Sequence, residues 1–136
     1  MQYPYKIERE ENGGYILQLV DVPEVISYGE TLEKAKTELL SAFISFAEWL
    51  FDDELPIPLP SSTRYEAIDI PTSTAVKIRL LNAMTETKTR PVDIGDKIGI
   101  TRQEMTHIIN LRRKTQIDTL EHAIKATGKT LRFSVS

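Results

Sequence analysis

Between Thr101 and Asn110 six polar side chains lie close together: Thr101, Arg102, Gln103, Thr106, His107 and Asn110. Arginine, glutamine, asparagine and threonine are side chains that hydrogen-bond base edges in the major groove. Arg112, Arg113 and Lys114 follow directly, and such cations hold phosphate oxygens, fixing register without reading sequence. The chemistry on offer is recognition of a double-stranded polyanion rather than bond making. An ordinary helical hairpin with a solvated polar face could carry the same residue types. What favours recognition is the apolar and glycine pattern beneath them.

That pattern reads as a helix-turn-helix over Arg90–Lys114. Ile94 and Ile98 fall one turn apart on a first helix, with Gly95 where a second helix must come close. Gly99 sits where the chain must turn, and glycine adopts a positive φ most easily. Ile100 can plug the corner. Thr101 is placed to cap a second helix, with Glu104 three residues on in the capping-box pattern. Met105, Ile108 and Ile109 then share the inward face. Glycine inside a helix costs about 1 kcal/mol relative to alanine, so close packing at Gly95 explains it better than chance.

The elements upstream predict an N-terminal β-β-β-α-β unit over residues 1–70. Tyr3 to Glu10 alternates, and Tyr15 to Val20 follows across Glu11-Asn12-Gly13-Gly14, a hairpin signature. Val25 to Tyr28 is a short third strand. Thr31 caps a helix to about Phe51, whose apolar stripe is Leu32, Ala35, Leu39, Ala42, Phe43, Phe46 and Leu50. A second set, Leu40, Ile44, Ala47 and Phe51, suggests a further packing surface, through which dimers could form a tetramer; cover by the following segment is the plainer alternative. Three prolines in Leu55–Ser62 make an extended connector (about residues 55–63), and Arg64 to Ile70 alternates as a fourth strand.

Residues 71–136 predict four helices and a tail. Pro71-Thr72-Ser73 breaks the strand and caps a helix striped by Ala75, Ile78, Leu81 and Met84. The helix-turn-helix comes next, and Thr115 with Asp118 can cap a last helix ending at Gly128. Thr130 to Ser136 alternates, with Leu131, Phe133 and Val135 on one side. A lone strand is unstable, so the tail is expected to pair with its copy in a homodimer, the symmetry a palindromic operator requires.

Composition fits two partners. The net charge of −3 divides into −8 over residues 1–66 (5 Lys/Arg, 13 Asp/Glu) and +5 over 67–136 (12 and 7). A basic half suits a polyanion and an acidic half something basic, although an acidic surface also simply keeps a protein soluble. There is no cysteine, which excludes disulfides, cysteine nucleophiles and thiolate metal sites. No apolar run nears the roughly 18 residues of a membrane span. The opening MQYPYKIERE lacks a signal peptide's apolar core, so a cytoplasmic protein is expected.

These pieces together resemble the HicB antitoxins, in the subgroup with a helix-turn-helix C-terminus. The matching residues are Gly13-Gly14-Tyr15, Asp21-Val22-Pro23-Glu24, Gly29-Glu30-Thr31-Leu32 with Ala35, and the connector Leu55–Ser61. Further on they are Val76–Ala83, Ile98-Gly99, Gln103-Glu104, Asn110-Leu111, Ile117-Asp118 and Ala126-Thr127-Gly128-Lys129. The resemblance spans nearly the whole chain, and it is carried by order and spacing rather than by one motif. It implies a partial ribonuclease-H-like N-terminal domain that binds a basic, mRNA-cleaving toxin of the HicA type and masks its active site. It also implies a C-terminal repressor of the shared operon, tuned by toxin occupancy. Arg90-Pro91-Val92 departs from the pattern by placing proline where polar residues are usual, which a helix start tolerates.

No enzyme is expected. A nuclease of that outline needs carboxylates converging on divalent metal ions. Glu48, Asp52 and Asp53 cluster at a helix end, but nothing in the sequence makes them converge with Asp21 and Asp69, and acidic residues at strand and helix ends are usually solvated. His107 and His122 have no partner at metal-ligand or nucleophile spacing. No cofactor or metal is implied. A second reading keeps the DNA-binding half and makes the first half a ligand sensor in a stand-alone regulator, but no glycine-rich phosphate loop supports it.

Overall fold

The computed structural model describes residues 1–61 and 64–136 of the chain; Ser62 and Thr63, the end of the expected connector, lie outside them. The fold is mixed α+β and divides into two compact units. The first is Met1–Leu50 with Pro58–Pro71, and the second is Phe51–Ile57 with Thr72–Ser136.

The first unit is an antiparallel sheet ordered β3-β2-β1-β4, with β1 at Gln2–Arg9, β2 at Tyr15–Leu19, β3 at Ile26–Gly29 and β4 at Ala67–Asp69, together with helix α1, which runs over Leu32–Asp52. The register Tyr5↔Leu19, Ile7↔Leu17 and Leu17↔Ser27 puts Tyr3, Tyr5, Leu17, Leu19 and Ser27 on one face. Helix α1 covers that face: Ser27 Oγ donates to Ala35 O at 2.8 Å, and the Tyr3 and Phe43 rings meet at 4.4 Å. Thr31 accepts from Lys34 N at 3.2 Å, the expected cap.

Two sequence expectations are revised here. The fourth strand is Ala67–Asp69 rather than Arg64–Ile70: it pairs with Gln2–Pro4 of β1, and only single backbone bonds, Tyr5 N to Glu66 O at 2.8 Å and Ile70 N to Met1 O at 2.9 Å, flank that ladder. Of the second apolar set, Ile44 and Ala47 are buried within the single chain and Leu40 and Phe51 are half-buried, so two of its four side chains are already covered. Ala47 continues the four-residue spacing Ala35, Leu39, Phe43, so it belongs to the inward stripe. Leu32, Ala42 and Phe46 are half-buried. Outside that stripe Trp49 remains exposed, its ring stacked on Phe46 at 5.6 Å.

The second unit packs α2 (Thr72–Thr87), α3 (Pro91–Ile98), α4 (Arg102–Ile108) and α5 (Ile117–Ala126), with α2 against α5 and α3 against both α4 and α5. Its core is aliphatic: Ile78, Leu81, Met84, Ile94, Met105, Ile108, Leu111, Leu120 and Ile124 are all buried. Asn82 closes a ring with Ile57, accepting its N–H at 2.7 Å and donating to its carbonyl at 3.0 Å, which explains why that part of the proline-rich stretch joins this unit. Lys97 Nζ donates to Ala126 O at 3.0 Å. Helix α5 is capped at Gln116 without a side-chain bond, not by Thr115 as expected; the Thr115 N–H is spent on Ser73 Oγ at 3.1 Å. Ser73 in turn lies inside α2 rather than ahead of it. Thr130–Ser136 is not a strand: a ladder needs a neighbour, and in the single chain Phe133 is 83 % and Val135 93 % exposed, with Leu131 half-buried.

Candidate nucleic-acid interface

The turn between α3 and α4 is set by local chemistry. Pro91 occupies the first position of α3 after Arg90, whose N–H donates to the Asp93 carboxylate at 2.9 Å. The Arg90 guanidinium also reaches Asp93, at 3.1 Å, and holds that carboxyl below its ordinary range. Gly99 ends α3 in the left-handed region, with φ 71° and ψ 37°. Gly95 is buried, and a Cβ there would stand 3.0 Å from Ile100 O and 3.4 Å from Met105 Cγ. The missing side chain is therefore what lets α4 approach. Thr101 caps α4, accepting from Glu104 N at 3.1 Å.

This local geometry decides what faces inward and outward. Ile94, Gly95, Met105 and Ile108 are buried, Ile98 is half-buried, and Gly99 is exposed at the turn. Thr101, Arg102, Gln103, Thr106 and His107 are exposed together on α4, and Arg112, Arg113 and Lys114 are exposed in the loop that follows. Two of the polar residues are partly engaged already. Thr106 Oγ1 donates to Arg102 O at 3.1 Å, and the half-buried Asn110 uses Oδ1 to accept from Arg112 N at 3.0 Å. Asn110 thus shapes the turn that presents Arg112.

Sequence reasoning missed the residue beneath this loop. Lys77 of α2 is fully buried, and its Nζ donates to His107 O at 3.1 Å, Asn110 O at 2.9 Å and Arg113 O. Burial, with Arg113 nearby, lowers its pKa to about 8. Thr74 Oγ1 adds a bond to Leu111 O at 3.0 Å. The available signal was weak: a lysine between Val76 and Ile78 whose i−3 and i+4 neighbours, Thr74 and Leu81, lie on the buried side.

Two of the acidic residues considered for catalysis are engaged in local hydrogen bonds. Asp21 accepts from Ser61 N at 2.9 Å, and Asp69 from Gln2 Nε2 at 2.7 Å. Among the described residues no three of His, Cys, Asp and Glu are grouped to hold a metal ion, and no helix is long and apolar enough to cross a membrane.

Comparison with known proteins decides the family. The sequence model of the HicB_like antitoxin of bacterial toxin-antitoxin systems matches residues 2–79. The chain belongs to the HicB-like antitoxin family. Among curated relatives, Antitoxin HicB of Escherichia coli K12 is 38 % identical over 136 residues, 96 % of this chain and 96 % of that protein. Antitoxin HicB 1 of Photorhabdus laumondii is 36 % identical over 135 residues, 99 % of this chain and 87 % of its own. Antitoxin HicB of Pseudomonas fluorescens is 24 % identical over 139 residues. The family match ends inside α2, whereas the similarity to these relatives runs on through α3, α4 and α5, so it covers both units of the chain.

Proposed function

We propose that this antitoxin neutralises a cognate mRNA-cleaving toxin of the HicA type by direct binding through its first unit. Its second unit represses the shared operon by sequence-specific DNA binding. The observation that carries the DNA reading is the division of α4. Met105 and Ile108 are buried while Arg102, Gln103, Thr106 and His107 are exposed, with Arg112, Arg113 and Lys114 alongside. A capped helix with that face suits the major groove, and the flanking cations suit phosphates. A palindromic operator calls for a two-fold dimer, and pairing of Leu131, Phe133 and Val135 with their copies would supply it while covering two exposed apolar side chains. In this reading the protein works without catalysis of its own.

The alternative of a ligand sensor is less well supported. One hollow on the first unit is lined by Tyr28, Gly29, Glu30, Glu33, Lys34, Thr37 and Glu38 and another by Glu33, Lys36, Thr37, Leu40, Ala67, Ile68 and Asp69. Most of these side chains are charged or polar, whereas small-molecule sites are lined chiefly by hydrophobic and aromatic side chains with a few polar groups. The test has two arms. Footprinting of the region upstream of the operon should show a protected inverted repeat with the wild-type protein. Co-expression with the neighbouring toxin gene should restore growth. Protection without rescue would return the molecule to the class of stand-alone regulators.

A further inference from the structure

We infer that Lys77 is a positioning residue for the DNA-facing loop: its buried ammonium gathers the carbonyls of His107, Asn110 and Arg113 and so holds Arg112, Arg113 and Lys114 in place beside the end of α4. The inference rests on the DNA-binding reading above and deepens it.

The geometry is that of an internal cation site. Helix α4 ends at Ile108, and the carbonyls at a helix C-terminus lack intrahelical partners and carry partial negative charge. A buried charge is tolerated only where polar groups surround it. Here the partners of Lys77 Nζ among the described residues are three backbone carbonyls, which match the three N–H donors of an ammonium. They come from the last turn of α4, from the turn that follows and from the middle of the basic run. One side chain thus ties together three points of a segment seven residues long.

Its neighbours on α2 act on the same segment. Ser73 Oγ accepts from Thr115 N, and Thr74 Oγ1 donates to Leu111 O. Residues 73, 74 and 77 form one edge of a helix, and each bond goes to backbone between positions 107 and 115. Side chains of the basic run remain exposed because the backbone, not the guanidinium groups, is what α2 grips. Lys77 itself is fully buried and cannot reach a phosphate. Any change in phosphate contacts on its replacement must therefore come from other cations.

That separation gives the test. Full-length wild type and Lys77→Met, which keeps chain length and removes the charge, are titrated with operator DNA over a range of salt. Each phosphate contact contributes close to one unit to the slope of log K against log salt. The expected result for Lys77→Met is a slope lower by about one to two and, at low salt, affinity at least about tenfold weaker. A variant that was merely less stable would lose affinity in proportion to its folded fraction and keep its slope, and that result overturns the proposal. Amide exchange supplies a readout without DNA: Leu111–Lys114 should exchange faster in Lys77→Met while Leu120 and Ile124 do not change. If wild type binds no DNA, the functional reading fails, and exchange alone decides whether Lys77 orders the loop. Lys77→Gln, which keeps two donors, provides a second variant should Lys77→Met fail to fold. Unfolding of both would make the lysine a requirement of the fold and overturn the positioning role.

Discussion

The first unit buries tyrosines where the second buries a lysine. Tyr3 and Tyr5 lie under α1 with their hydroxyls pointed at the strand edge, Tyr3 donating to Pro58 O at 2.6 Å and Tyr5 to Glu66 Oε2 at 2.9 Å. Both bonds pin extended chain to a sheet whose register is already fixed by its ladders. Lys77 instead gathers a loop that has no ladder of its own. A neutral hydroxyl suffices to trim a rigid sheet, whereas ordering an irregular segment takes a group with three donors. The contrast extends to surface: α1 covers one face of the sheet, and the second unit concentrates the exposed Arg112, Arg113 and Lys114 next to one capped helix.

The comparison can be broken most forcefully at the tail. Removing Leu131–Ser136 should leave a folded protein that sediments as a monomer. Loss of the linked second half-site should weaken operator binding on the order of 10²–10⁴-fold. Growth rescue by co-expression with the toxin should persist, since the tail belongs to the second unit. A dimer that survives the deletion in sedimentation would refute tail pairing.

Next in size is the triple change of Arg112, Arg113 and Lys114 to alanine. It should lower the salt slope by about two to three and weaken binding to every DNA sequence alike, again without loss of toxin neutralisation. Gln103→Ala should act differently. It should cost about 1–3 kcal/mol on the preferred operator and relax discrimination at one base pair, with an unchanged salt slope. If the two variants behave alike in competition assays, the separation of reading face from phosphate-holding loop is wrong.

What could be read from the sequence follows the same contrast. The turn between α3 and α4 depends on neighbours in the chain, so Gly95, Gly99, Thr101, Met105 and Ile108 were legible, as was the Thr31 cap of α1. Features set by distant partners were not. Lys77 reads as a solvated lysine because its acceptors are carbonyls 30 to 36 residues away. Thr115 reads as a helix cap, but its N–H goes to Ser73, 42 residues upstream, and the cap position falls one residue on, at Gln116. Ile44 and Ala47 read as a spare surface because spacing alone gives a helix's faces but not their cover. Asn110 reads as a base-reading side chain, yet its Oδ1 is turned to a backbone N–H two residues on.

The smallest effect tests the tyrosine side of the contrast. Burial, reinforced by the hydrogen bond to Glu66 and its negative charge, raises the Tyr5 pKa to about 12 from 10.0. The folded state thus favours the neutral phenol. Stability from this source is fully present below pH 10 and is lost as pH rises through about 12. Tyr5→Phe keeps the ring and removes the hydroxyl, so it should cost about 0.5–1.5 kcal/mol, the range of one hydrogen bond, because the exposed Glu66 carboxylate can turn to water. In urea unfolding the difference between wild type and variant should hold steady from pH 7 to 9 and shrink above 10. A difference that grows above pH 10 would mean that the folded state prefers the phenolate, contrary to a hydroxyl donating to a carboxylate. Operator affinity measured beside it should stay at the wild-type value, since this tyrosine trims the sheet and has no part in the loop that Lys77 holds.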